Sequence, residues 1–94
     1  MTQTETRLAI IAIVVEDSSC VLQLNALLHE YSAYIIGRMG IPYRRRGISI
    51  ISIALDAPQD EIAALSGKIG RLPGVSVKTA YSAVMGKAGS EEDA

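Results

Sequence analysis

Hydrophobic positions recur along the chain with two periods, that of a strand and that of a helix. Leu8 to Val15 (LAIIAIVV) and Ile48 to Leu55 (ISIISIAL) are apolar on both alternating faces, with Ser49 and Ser52 the only polar members of the second run. β-branched runs of this length without a polar side predict interior strands, covered above and below. Ile35 to Gly40 is shorter and is interrupted by Gly37 and Arg38. Val75 to Tyr81 alternates Val75, Val77, Thr79 and Tyr81 with Ser76, Lys78 and Ala80. Both read as edge strands, half exposed to solvent.

Two helices separate these strands. The first is predicted from about Ser19 to Tyr34, with Asp17 or Ser18 as N-cap, because Cys20, Leu24, Leu27, Leu28 and Tyr31 fall on one face at about 100° per residue. The second starts near Pro58, a good first-turn residue, and places Asp60 and Glu61 at the positive end of its dipole. Its stripe is Ile62, Leu65, Ile69 and Leu72; Gly70 weakens the last turn and Pro73-Gly74 ends the element. The order β-α-β-β-α-β predicts an α+β, ferredoxin-like fold, a four-stranded antiparallel sheet with both helices on one face. In that topology the first and third strands lie in the middle, and those are the two runs with no polar face.

The same topology leaves one face of the sheet bare. It would carry one alternating set from each central strand, either Ala9, Ile11, Ile13 or Leu8, Ile10, Val14. Soluble monomers seldom expose such a patch, so the chain is predicted to form a homo-oligomer, a dimer or tetramer, through the open sheet face. The outer sides of the helices carry Leu22, Ala26 and Ala33, and Ala63, Ala64 and Gly67. Small residues there admit close packing of another chain, and they are also simply well tolerated in helices.

Composition narrows the class. The 94 residues hold one domain, residues 1–85, followed by the small, polar, acidic stretch 86–94 (GKAGSEEDA), which predicts disorder. With 49% hydrophobic residues the chain is globular, and with a net charge of -1 it offers no broad basic field for direct nucleic-acid binding. Setting the tail aside leaves the charge near neutral. The single cysteine, Cys20, suits a reducing compartment, and Met1 to Glu5 lack the positive region of a signal peptide. The run Leu8 to Val15, closed by Glu16-Asp17, falls well short of the about 20 residues that cross a bilayer. The expectation is a cytoplasmic protein with no membrane contact.

Candidate chemistry is sparse. His29, the only histidine, and Cys20 project from nearly opposite sides of the first helix, so they cannot share a metal within one chain. His29 reads as a solvated helix residue, with a site shared between subunits left open, and Cys20 as a small buried hydrophobe. Ser66-Gly67-Lys68 falls inside a helix, where the backbone N–H groups are already bonded, so it is no phosphate loop. Tyr43-Arg44-Arg45-Arg46-Gly47 concentrates charge at a hairpin tip. Such a tip docks an anion, an acidic partner or RNA, or is a solvated loop that discourages edge aggregation. RNA-recognition domains share this topology but stack bases on sheet aromatics, and here there is no Phe or Trp and only Tyr81 on a strand. Acylphosphatase-like chemistry needs an anion cradle after the first strand, where this chain has Glu16, Asp17, Ser18 and Ser19. No Ser-His-Asp set forms around a lone outward histidine. No catalytic residue, metal ligand set or cofactor is predicted.

Several segments together resemble a known family. They are Val14-Val15-Glu16-Asp17, then Asn25 and Leu27-Leu28-His29; Arg38, Gly40 and Pro42 as an R-x-G-x-P segment; and Ala64 to Gly70, Gly74-Val75 and Val77-Lys78-Thr79. Over residues 7–81, and most specifically in the second half, they resemble a small family of proposed regulators of the iron-only hydrogenase system. The Arg44 to Arg46 run is not part of that pattern. The resemblance implies an ACT-like domain, akin to the C-terminal domain of the nickel-responsive repressor. Such domains oligomerise through their sheets and bind small effectors near subunit interfaces. It also implies a regulatory role beside hydrogenase maturation in anaerobic bacteria.

Two departures matter: the repressor's nickel site uses several histidines and a cysteine, and this chain has one of each, badly placed. It also has no ribbon-helix-helix or helix-turn-helix segment, so any effect on transcription passes through a partner. Charge and resemblance together nominate Arg38 and Gly40 for ligand binding, with Lys68 and Lys78 as anion partners. The expected role is a non-catalytic, small-molecule-sensing regulatory domain acting through oligomerisation or a protein partner. The alternative is a ligand-free interaction or assembly module for hydrogenase maturation. A small dimeric ferredoxin-like enzyme would need a pocket holding a titratable residue, for which the sequence offers few candidates.

Overall fold

In a computed structural model, which describes residues 5–87, the regular elements are β1 (Glu5–Val15), α1 (Val21–Glu30), β2 (Ile35–Tyr43), β3 (Ile48–Ala57), α2 (Gln59–Gly70) and β4 (Val75–Lys87). The strands form one antiparallel sheet in the order β2-β3-β1-β4. The two runs with no polar face, β1 and β3, hold its centre, and the interrupted and alternating runs hold its edges. This is the ferredoxin-like arrangement that the pattern predicts, and the ACT-like one that the resemblance implies.

The helices settle on one face because their stripes match the odd-numbered side of the central strands. Ala9, Ile11, Ile13 and Val15 of β1 and Ile53, Leu55 and Ala57 of β3 are buried against Leu24 and Leu28 of α1, Tyr31, and Ile62, Leu65 and Ile69 of α2. Burying an Ile or Leu side chain contributes about 1.5–3 kcal/mol of transfer free energy, so this layer fixes which face the helices cover. Leu27 and Leu72 pack at its margin.

Element ends differ from the sequence reading in physically clear ways. Ser18 to Cys20 form a tight 3-10 turn before α1, and Asp17 caps it, its carboxylate accepting the Ser19 N–H at 2.9 Å. α1 stops at Glu30 rather than Tyr34, and Ser32 to Tyr34 tighten into another 3-10 turn. There the Tyr34 N–H donates to Tyr31 O at 3.0 Å, which turns the chain directly into β2. β2 continues through Pro42 to Tyr43, as an edge strand tolerates a proline that an interior one would not. β4 runs to Lys87, beyond the alternating stretch Val75 to Tyr81, with Gly86 opposite Thr6 and Lys87 opposite Glu5. Residues 88–94 lie outside the described residues, and with them most of the expected disordered tail.

At one end of the sheet two loops lock together. Gly74 adopts the left-handed conformation, φ 71°, to turn from α2 into β4. Its carbonyl accepts the Glu16 N–H at 2.7 Å, and a Cβ on it would collide with the Cβ of Asp17. The loop after β1 and the turn before β4 are thereby held as one unit. Among the described residues no helix is long and apolar enough to cross a membrane.

Candidate functional site

The bare face of the sheet is the even-numbered side of β1. Leu8, Ile10, Ala12 and Val14 point away from the helices. Pairing register carries that face across the sheet: Ile10 lies between Ala54 and Ala80, Ala12 beside Ser52, and Val14 beside Ile50, which in turn neighbours Ile41 of β2. Its exposed apolar residues include Ile10 on β1 (48%), Ile50 on β3 (39%) and, at the β2 edge, Ile41 (50%), Met39 (59%) and Ile36 (64%). The β4 flank carries Ser76 and Lys78 instead. Small side chains on either side of Ile10 leave a hollow of about 420 Å³, walled by Leu8, Ile36 and Tyr81. The face is apolar, and its most apolar part is off centre.

The four nominated ligand residues do not form one cluster. Arg38 and Gly40 both lie on β2, opposite Ile53 and Ile51, and so project toward the helix side at one edge of the sheet. Arg38 borders a groove of about 370 Å³ between α1 and β2, lined also by Asn25, Leu28, His29, Ser32 and Ile35. A Cβ on Gly40 would meet nothing within 4 Å, so crowding does not demand glycine there. Lys78 is exposed on β4, at the other edge, opposite Ala12 and hence on the other face.

Lys68 lies between the helices, its ammonium 3.4 Å from the Glu30 carboxylate and 5.0 Å from the centre of the Tyr31 ring. Its pKa is raised, chiefly by Tyr31 and further by Glu30, against an opposing desolvation cost. Its charge is therefore already engaged. The sequence reading nominated neither Asn25 nor Ser32 as a ligand residue, and took His29 as a solvated helix residue with only a site shared between subunits left open. A signal was present: Asn25 and His29 stand at i and i+4 on one flank of α1, and Ser32 follows three residues later in the turn.

The remaining motifs have plain structural roles. Cys20 is fully buried, its thiol donating to Asp17 O at 3.2 Å. His29 is exposed on the groove side of α1. Among the described residues no group of three or more His, Cys, Asp or Glu gathers to hold a metal ion. Ser66-Gly67-Lys68 lies inside α2, where the Ser66 hydroxyl accepts the Thr79 hydroxyl at 2.9 Å. Arg44 to Arg46 form an exposed 3-10 turn at the β2–β3 tip, closed by Gly47 in the left-handed region. That turn projects charge into solvent, where separate arginines repel and solvate readily.

Residues 7–79 match the family model of TM1266-like proteins, described as proposed regulators of the iron-only hydrogenase system. Among solved structures, the uncharacterized protein TM1266 from Thermotoga maritima is similar with a TM-score of 0.78 and 42% sequence identity. That likeness covers 81% of this chain and 96% of that one. No curated protein matches the chain.

Proposed function

This chain belongs to the TM1266-like family of proposed iron-only hydrogenase system regulators, and we propose that it acts there as a non-catalytic, small-molecule-sensing ACT-like subunit that works through self-association. The observation that carries this reading is the open sheet face, with Ile10, Met39, Ile41 and Ile50 exposed together. In plan the face measures on the order of 600 Å², from strand spacings of about 4.8 Å and a rise of about 3.3 Å per residue. With side-chain relief added, that approaches the roughly 800 Å² per partner of a standard stable interface. A second copy, in a dimer or tetramer, covers it. The helix side then remains free for an effector or for a regulatory or maturation protein, through which any effect on transcription passes.

Two features support the non-catalytic reading. Cys20 is sequestered in the core, and among the described residues no hydrogen bond couples His29 to the Ser32 hydroxyl that shares its groove. The chain is read as a cytoplasmic protein without direct contact to nucleic acid.

The test is a thermal-shift screen of the purified protein against amino acids, nucleotides and divalent metals. A ligand at ~100 times its Kd stabilises the folded state by about 2.7 kcal/mol. In a domain of this size that raises Tm by roughly 10 °C or more. A reproducible hit supports sensing. A flat screen on a folded oligomer counts against sensing of these ligand classes and favours a protein-docking module.

A further inference from the structure

We propose that the groove between α1 and β2 binds a small carboxylate carrying an aliphatic group. This rests on the ligand-sensing part of the reading above and adds a location and a ligand class. The groove is built within a single chain.

Its lining is chemically one-sided. Asn25 and His29 come from one flank of α1, Ser32 from the 3-10 turn that follows it and Arg38 from the facing edge strand, over a floor of Leu28 and Ile35. Each of the four polar side chains can donate a hydrogen bond, and no carboxylate lines the groove. The groove on the other flank of α1 differs in containing a carboxylate, Glu30, which pairs with Lys68 and leaves Arg71 as the net charge there. Arg7 is likewise occupied, bonded to Gln59 at 2.9 Å and stacked 5.1 Å from the Tyr81 ring centre. Among the described residues Arg38 has no hydrogen bond or ion pair, so its charge faces the groove uncompensated.

Two considerations select the ligand. A planar guanidinium fork matches a carboxylate, and Leu28 with Ile35 offers an apolar seat for an attached aliphatic group. The C-terminal end of α1 lies beside the groove and carries roughly half a negative charge. A full positive charge on Arg38 outweighs that for any anion, and the apolar floor, which inorganic phosphate would leave bare, is what favours the aliphatic carboxylate. The volume of about 370 Å³ lies at the low end of the roughly 300–1,000 Å³ of small-molecule sites, which suits a small ligand.

NMR titration of the full labelled chain with 3-methylbutanoate tests this, with 3-methylbutanamide and inorganic phosphate as comparison ligands. The expected result is saturable shifts at the Asn25 side-chain amide, the His29 ring and the Arg38 side chain. Arg38→Ala should weaken binding about tenfold or more, as loss of a charge-assisted pair does. His29→Gln should weaken it less, and the neutral amide should not bind. Absence of saturable shifts at these residues overturns the proposal. So does equal binding by Arg38→Ala or by the amide, and tighter binding of phosphate overturns the ligand class. A thermal-shift hit for another ligand with the groove silent removes this site alone; silence in both experiments removes sensing itself.

Discussion

Gly74 and Gly67 show how differently two glycines of one chain are held. At Gly74 the left-handed backbone and the Asp17 side chain both exclude a Cβ. Gly74→Ala should therefore lower unfolding free energy by more than the roughly 1–2 kcal/mol of a left-handed alanine alone, read from the urea midpoint. Gly67 lies inside α2, and a Cβ added there would meet nothing within 4 Å, so Gly67→Ala should stabilise, by up to about 1 kcal/mol. Asp17 adds a pH-dependent contribution. Its pKa is held below the ordinary carboxylate value, first by the Ser19 backbone N–H and then by the Ser19 side chain. A lowered folded-state pKa contributes stability above the unfolded value and loses it as pH falls through the folded one. Asp17→Ala should thus lower Tm at neutral pH, and the gap to the native protein should narrow in acid. At this scale the sequence was partly legible. It nominated Arg38, but which helix flank faces Arg38 depends on which edge of the sheet lies beside α1, and that is a property of the fold.

The elements were legible where periodicity and polarity differ between faces, and ambiguous where they do not. The stripes Leu24, Leu28, Tyr31 and Ile62, Leu65, Ile69 are the buried ones, since each helix has a polar side to contrast with. In β1 both alternating sets are apolar, so the pattern could not choose between Leu8, Ile10, Val14 and Ala9, Ile11, Ile13. The structure assigns the odd set to the core, with Ile11 wholly buried and Ile10 48% exposed. These neighbours give a paired test in chemical denaturation. Ile11→Ala should cost about 2–5 kcal/mol at any protein concentration. Ile10→Ala should cost little in the isolated subunit, and its effect should grow with concentration as assembly contributes to stability. The end of α1 was missed because Ser32 to Tyr34 tighten into a 3-10 turn, the Tyr34 N–H donating to Tyr31 O, and the spacing of apolar residues does not mark that change of winding.

For the whole molecule, the sequence specified a topology with more apolar surface than one sheet and two helices can cover, and the structure locates the surplus on β1, β2 and β3. It also separates Arg38 and Gly40 from Lys68 and Lys78, which lie in different grooves or on different faces. Spacing along the chain carries no information about such separations across a sheet. Self-association is the premise on which the regulatory reading rests. Sedimentation equilibrium of the native chain beside Ile10→Asp is the experiment to perform first. The native chain should sediment at two or more times its 10.0 kDa mass, and the variant should stay folded and fall toward one. A native mass of 10.0 kDa across the micromolar range would contradict the account, because the open face would then be stable in water without a second copy.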